Sequence, residues 1–146
     1  MMFAVAHDYR VMRRDRGYMC AIEVEIGVGI PPPELALFAH AMPRPAFYDT
    51  VMGAKRWGAK EALAAGLVSL ACSHDTLFDE ALAFAEKQAR LARGARGRTL
   101  FMSIKNQAKG HVNRMVMDYC FPRRALPEAI GAVDGGEAEV GGWVEE

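Results

Sequence analysis

The chain has 146 residues, 51% of them hydrophobic, and its 18 basic and 18 acidic side chains balance to zero formal charge. That length allows one domain with a substantial core. The longest uninterrupted apolar run, Met1–Ala6, falls far short of the roughly 20 residues that a membrane-spanning helix needs, so no membrane span is expected.

The charge is unevenly spread. Six acids and no lysine or arginine follow Arg124, so residues 1–124 hold 18 basic and 12 acidic groups, a net of +6. Such a body suits an anionic ligand, but a solvated surface is the more common explanation. Arg10, Arg13, Arg14 and Arg16 sit about one turn that Asp15 interrupts, without interleaved aromatics, so no nucleic-acid partner is expected. Met1–Ala6 has neither the basic segment nor the cleavage site of a secretory leader, which points to an intracellular protein. Cys20, Cys72 and Cys120 are widely spaced and read as reduced thiols. His7, His40, His74 and His111 lack metal-ligand spacing, so no metal is expected.

In chain order, Met1–Ala6 is apolar on all faces and belongs inside a core, although nothing precedes it to cover it. This start reads as the latter part of something longer, and predicts exposed apolar surface and a tendency to associate. A short strand is expected at Tyr9–Met12, then a charged turn at Arg13–Arg16. Tyr18–Ile22 reads as a buried strand delivering Glu23 to a glycine- and proline-rich turn, Gly27 to Pro33. A carboxylate with Tyr, Met and Ile neighbours, set where core gives way to loop, is poorly solvated when charged and makes a better base near neutral pH. A solvated glutamate closing a strand is the other reading. Glu25 is a further acid, on the same face as Glu23 if the strand continues.

Helices are expected at Glu34–Met42, anchored by Leu35, Leu37 and Phe38, and at Pro45–Gly53, with Phe47, Val51 and Met52 inward. Ala59–Ala65 is a third helix, capped by Gly66, and Leu67–Cys72 a short buried strand. Thr76 and Asp79 suggest a capping box for Leu77–Arg93, whose stripe would be Leu77, Phe78, Ala81, Leu82, Ala85, Ala89 and Ala92. Gly94 and Gly97 break it. Thr99–Met117 follows as an amphipathic helix, and Pro122 marks its end. The expected division is a folded unit over 1–124 and a disordered acidic tail over 125–146.

Two segments carry a resemblance. HDYRVMRRDRGYMCAIEVEIGVGIP and KRWGAKEALAAGLVSLA together resemble the enoyl-CoA hydratase/isomerase (crotonase) superfamily. The former is similar to that family's D-Y-R-hydrophobic strand and E-x-x-x-G segment, here Glu23 to Gly27. The latter is similar to its A-x-E-A-x-x-x-G-L-V signature, carried by Ala59, Glu61, Ala62, Gly66, Leu67 and Val68. The single-acid form is most similar to Δ3,Δ2-enoyl-CoA isomerases of the plant and peroxisomal type. The resemblance covers roughly residues 1–115 and implies an α/β fold, the C-terminal part of a crotonase-like (ClpP/crotonase) architecture, with short strands followed by several helices.

The same resemblance implies the chemistry. Glu23 would be the catalytic acid and base, carrying a proton from C2 to C4 of an acyl-CoA thioester in fatty-acid β-oxidation, with no cofactor beyond the coenzyme A of the substrate. Hydratases use an additional acid, and its place falls at Met2, which favours isomerisation. Glu25 then reads as structural. Lys105 and Lys109, one turn apart, would meet coenzyme A phosphates, or else form a solvated face. Both backbone donors that the family directs at the thioester enolate would precede Met1, so the isolated polypeptide is expected to be feeble or inactive. The alternatives are a non-catalytic truncated fragment or pseudoenzyme, and a small basic binding module. The resemblance also implies a trimer-type homo-oligomer if complete, and a peroxisomal location, although Val144-Glu145-Glu146 is no targeting tripeptide.

Overall fold

In the computed structural model, residues 1–121 are described. The tail expected at 125–146, the end of the 1–124 unit and the stop at Pro122 lie outside the described residues. Among the described residues, six helices and two short strands follow one another: α1 (Met2–Ala6), β1 (Val11–Arg13), α2 (Pro32–Ala41), α3 (Arg44–Val51), α4 (Ala59–Ala64), β2 (Leu70–Cys72), α5 (Leu77–Ala89) and α6 (Gly94–Cys120). A single 3-10 turn, Arg90–Ala92, links α5 to α6.

The strands pair in parallel, with Val11 opposite Leu70, Met12 opposite Ala71 and Arg13 opposite Cys72. Arginine side chains extend this pairing. Arg10 Nε donates to the Leu67 carbonyl at 2.6 Å and Arg14 Nε to the Ala71 carbonyl at 2.9 Å. The two sequence segments that carry the resemblance therefore lie side by side.

Prolines and glycines set the helix limits as their stereochemistry requires. Pro32 and Pro33 begin α2, while Pro43 caps α3 and Pro45 sits in its first turn, where a missing N–H costs nothing. Past α4, Gly66 has φ +72°, Gly66 N–H donates to Leu63 at 3.1 Å, and Leu67 N–H donates to Ala62 at 2.8 Å. That is a Schellman cap, and it turns the chain so that Leu67 enters the core. The core gathers Val5, Met19, Ala21, Phe38, Met42, Ala46, Val51, Trp57, Ala62, Leu67 and Val68. Burying Phe38 alone contributes on the order of 1.5–3 kcal/mol.

Several expectations fail for physical reasons. Tyr18–Ile22 is not a strand: Met19 alone pairs, in an antiparallel bridge with Trp57, because the facing segment presents one residue before entering α4. One expectation holds beside these failures: Met1–Ala6 leaves apolar surface uncovered. Val5 points into the core while Phe3 is 82% exposed. Met52 is 70% exposed, because α3 ends at Val51 and the chain turns outward. The side of α5 that packs runs through Leu77, Ala81, Phe84 and Gln88, and Phe78, expected in the stripe, is 77% exposed. Phe84 meets Tyr9 edge-on at 5.3 Å. The capping box does not form, since the Thr76 hydroxyl donates to Glu80 at 2.5 Å. Gly94, in the left-handed region at φ +72°, marks the break as expected, but Gly97 breaks nothing: it lies inside α6, which runs on to Cys120.

Candidate functional site

Glu23 lies in the turn that follows the Met19–Trp57 bridge. Backbone bonds close this turn: Glu25 N–H to Ile22 at 2.9 Å, Ile26 N–H to Ile22 at 3.2 Å, and Val28 N–H to Glu23 at 2.9 Å. Gly27 has φ +69°, a conformation open to glycine and strained for other residues. The Glu23 side chain is half-buried. Its Oε2 is shielded from solvent and has no hydrogen-bond partner among the described residues. A buried, uncommitted carboxylate oxygen costs folding free energy, and such groups call for an explanation, one of which is a catalytic role.

The turn separates the two acids that an extended strand would have placed on one face. Glu25 points to solvent and takes Arg56 in a two-point ion pair, Nη1 to Oε1 at 2.9 Å and Nη2 to Oε2 at 2.7 Å. Hydrogen bonding to Arg56 holds the Glu25 carboxyl below the usual carboxylate range. One acid is therefore engaged, and the other is free.

Sequence spacing missed a third acid. Glu34, in the first turn of α2, is half-buried, and its carboxyl is pushed up by burial and then by the negative charge of Glu23. No motif marks it. The proline triplet Pro31–Pro33 between the two acids was the available signal, since it returns the chain sharply after the Glu23 turn.

Lys105 and Lys109 come together as their spacing implies, and they share a protein partner. Lys105 Nζ donates to Asp8 Oδ2 at 2.6 Å and Lys109 Nζ donates to Asp8 Oδ1. Among the described residues, no hydrogen bond or ion pair joins either lysine to Glu23. Cys72 is a buried free thiol, pushed up by desolvation. Among the described residues, no cluster of three or more His, Cys, Asp or Glu is placed to hold a metal ion, and no helix is long and apolar enough to cross a membrane.

No protein-family model matches the chain. Over 77 residues, 52% of this chain and 32% of the relative, the sequence is 38% identical to enoyl-CoA delta isomerase 3 of Arabidopsis thaliana. Among solved structures, the fold is similar to an enoyl-CoA hydratase/isomerase family protein from Pseudomonas syringae, with a TM-score of 0.67 and 21% identity over 82% of this chain and 52% of that one. It is also similar to human mitochondrial delta3-delta2-enoyl-CoA isomerase, with a TM-score of 0.65 and 19% identity over 79% of this chain and 43% of that one. An enoyl-CoA hydratase from Mycobacterium marinum gives 0.62 and 23% over 77% and 48%. The chain thus spans about half the length of these structures, and its match covers about a third of the plant relative. It has the fold of enoyl-CoA hydratase/isomerase (crotonase) family members over about half of their length, and its sequence resembles an enoyl-CoA delta isomerase.

Proposed function

We propose that the complete protein is an enoyl-CoA isomerase that moves a Δ3 double bond of an acyl-CoA thioester to Δ2, with Glu23 as its one proton shuttle. The observation that carries this reading is the shielded, unpartnered Oε2 of Glu23 in a turn of the form E-x-x-x-G. The Glu23 carboxylate takes a proton from C2, and the released pair forms the C2–C3 double bond. The former C3–C4 π pair then takes the same proton back at C4, so Glu23 ends as it began. An acid committed to an ion pair, as Glu25 is to Arg56, is poorly suited to that cycle.

Charge developing on the thioester oxygen needs donors that the family draws from a segment preceding the part matched here. Losing one such donor costs about 10²–10³ in rate in other enzymes. Lys105 and Lys109 belong to the proposal as phosphate contacts for coenzyme A, and in that role they would exchange Asp8 for phosphate. A place in fatty-acid β-oxidation, a peroxisomal location and a trimer-type assembly accompany the reading as implications of the resemblance. A further reading, a non-catalytic fragment or pseudoenzyme, draws on the chain spanning about half of its structural neighbours.

The test is turnover of a 3-enoyl-CoA thioester by the full-length protein. Glu23→Gln is expected to abolish isomerisation with acyl-CoA affinity retained, because the amide keeps the shape of the acid and cannot accept the proton. Glu25→Gln is expected to be much milder. An active Glu23→Gln variant would refute the shuttle, and an inactive parent would favour the fragment or pseudoenzyme.

A further inference from the structure

The Glu23 turn lacks the support that usually fixes a catalytic group. Val24, Ile26 and Val28 around it are 51%, 61% and 56% exposed, so past the buried Ala21 packing does not hold it. Two tethers do, and both come from one short segment. Four residues before Glu23, Met19 exchanges backbone hydrogen bonds with Trp57, at 3.0 and 2.8 Å. Two residues after Glu23, Glu25 receives the fork of Arg56. Consecutive residues thus grip the chain on either side of the carboxylate.

That segment is itself rigid. Trp57 is buried, its Nε1 donates to Thr50 Oγ1 at 2.8 Å, and Thr50 Oγ1 donates to the Ala46 carbonyl at 2.6 Å. Lys55 Nζ lies 3.9 Å from the centre of the Trp57 ring, and Ala54 takes the left-handed conformation at φ +49°. The anchor therefore runs from α3 through Trp57. Arg56 is the arm that reaches from it across solvent to the turn. Its two parallel bonds to Glu25 fix orientation as well as distance, which a single-point contact does not.

We propose that Arg56 is a positioning residue, which acts through Glu25 to hold the turn and so the Glu23 carboxylate in its reactive place. This rests on the reading of Glu23 as the proton shuttle. An exposed pair contributes little to global stability, so its removal is expected to act on turnover and local order while leaving the melting temperature nearly unchanged.

Arg56→Met and Arg56→Lys are compared with the parent in the full-length protein, together with the reversed pair Glu25→Arg/Arg56→Glu. Small displacements of a reacting group cost up to about 100-fold. For Arg56→Met we expect kcat lower by on the order of tenfold at unchanged KM. Arg56→Lys should lose less, and the reversed pair should recover most of the rate. Amide exchange at Glu25, Ile26 and Val28 should quicken several-fold in Arg56→Met, while exchange in α2 stays as in the parent. A parental kcat in Arg56→Met, a loss confined to KM, or unchanged exchange in the turn would each overturn the proposal. If the parent does not isomerise the thioester at all, the proposed function fails, and the exchange measurement alone decides whether Arg56 holds the turn.

Discussion

Glu23 and Glu34 differ from the other acids in what surrounds them. The native state holds the Glu34 proton more tightly than the unfolded chain does, through burial and the charge of Glu23. A carboxyl raised in this way costs stability above its folded value, and the cost is relieved as pH falls through that value. Glu34→Gln is therefore expected to gain stability relative to the parent near pH 7, with the gain shrinking as pH falls through the raised folded value and gone by about pH 4. Denaturant melts across that range check it, and a gain independent of pH would disprove it. The position of Glu23, at the junction of an apolar run and a glycine turn, is legible in sequence. Its unpartnered oxygen and its influence on Glu34 are not, because both depend on how the chain returns through Pro31–Pro33.

At the scale of elements, punctuation is easier to read than faces. The starts of α2 and α3 and the end of α4 follow from proline and glycine, whose backbone restrictions act locally. The apolar run Tyr18–Ile22 imitates a strand in sequence, but a strand exists only where a partner pairs with it, and Trp57 offers a single bridge. The packing side of α5 is hard to assign because alanine marks any face weakly, leaving Phe84 and Phe78 to decide it. Gly66 shows how much one cap residue can carry. A Cβ there would sit 3.3 Å from Pro43 Cγ, on a backbone at φ +72°. Gly66→Ala is expected to lower stability by about 1–2 kcal/mol, the usual cost of forcing a side chain into the left-handed region. Thermal melting of the variant measures this, and an unchanged midpoint would show that the cap relaxes freely.

Across the whole molecule, the question is what holds α6 in place. At about 1.5 Å per residue its 27 residues span roughly 40 Å, yet Val112 is its one buried residue. Large side chains along it, among them Leu100, Ile104 and Met115, are exposed. Apolar contact with α2 around Val112 therefore needs help, and Asp8 provides it. One carboxylate between α1 and β1 receives Lys105 and Lys109, neighbours on one face of α6 and about a hundred residues away in sequence. Burial alone would raise the Asp8 carboxyl, but hydrogen bonds and charge from the two lysines outweigh it and hold it below its ordinary value. A depressed acid contributes stability above its unfolded pKa, and that contribution is lost as pH falls through the folded value. Asp8→Asn is thus expected to destabilise the protein by on the order of 1 kcal/mol near pH 7, because the groups are partly exposed and screened. The difference from the parent should shrink below about pH 3 and also at high salt. Denaturant melts of both proteins at neutral and acid pH, in low and high salt, provide the measurement. A loss that persists unchanged in acid would mean that Asp8 acts through its shape and neutral hydrogen bonds, and that its charge does not hold α6.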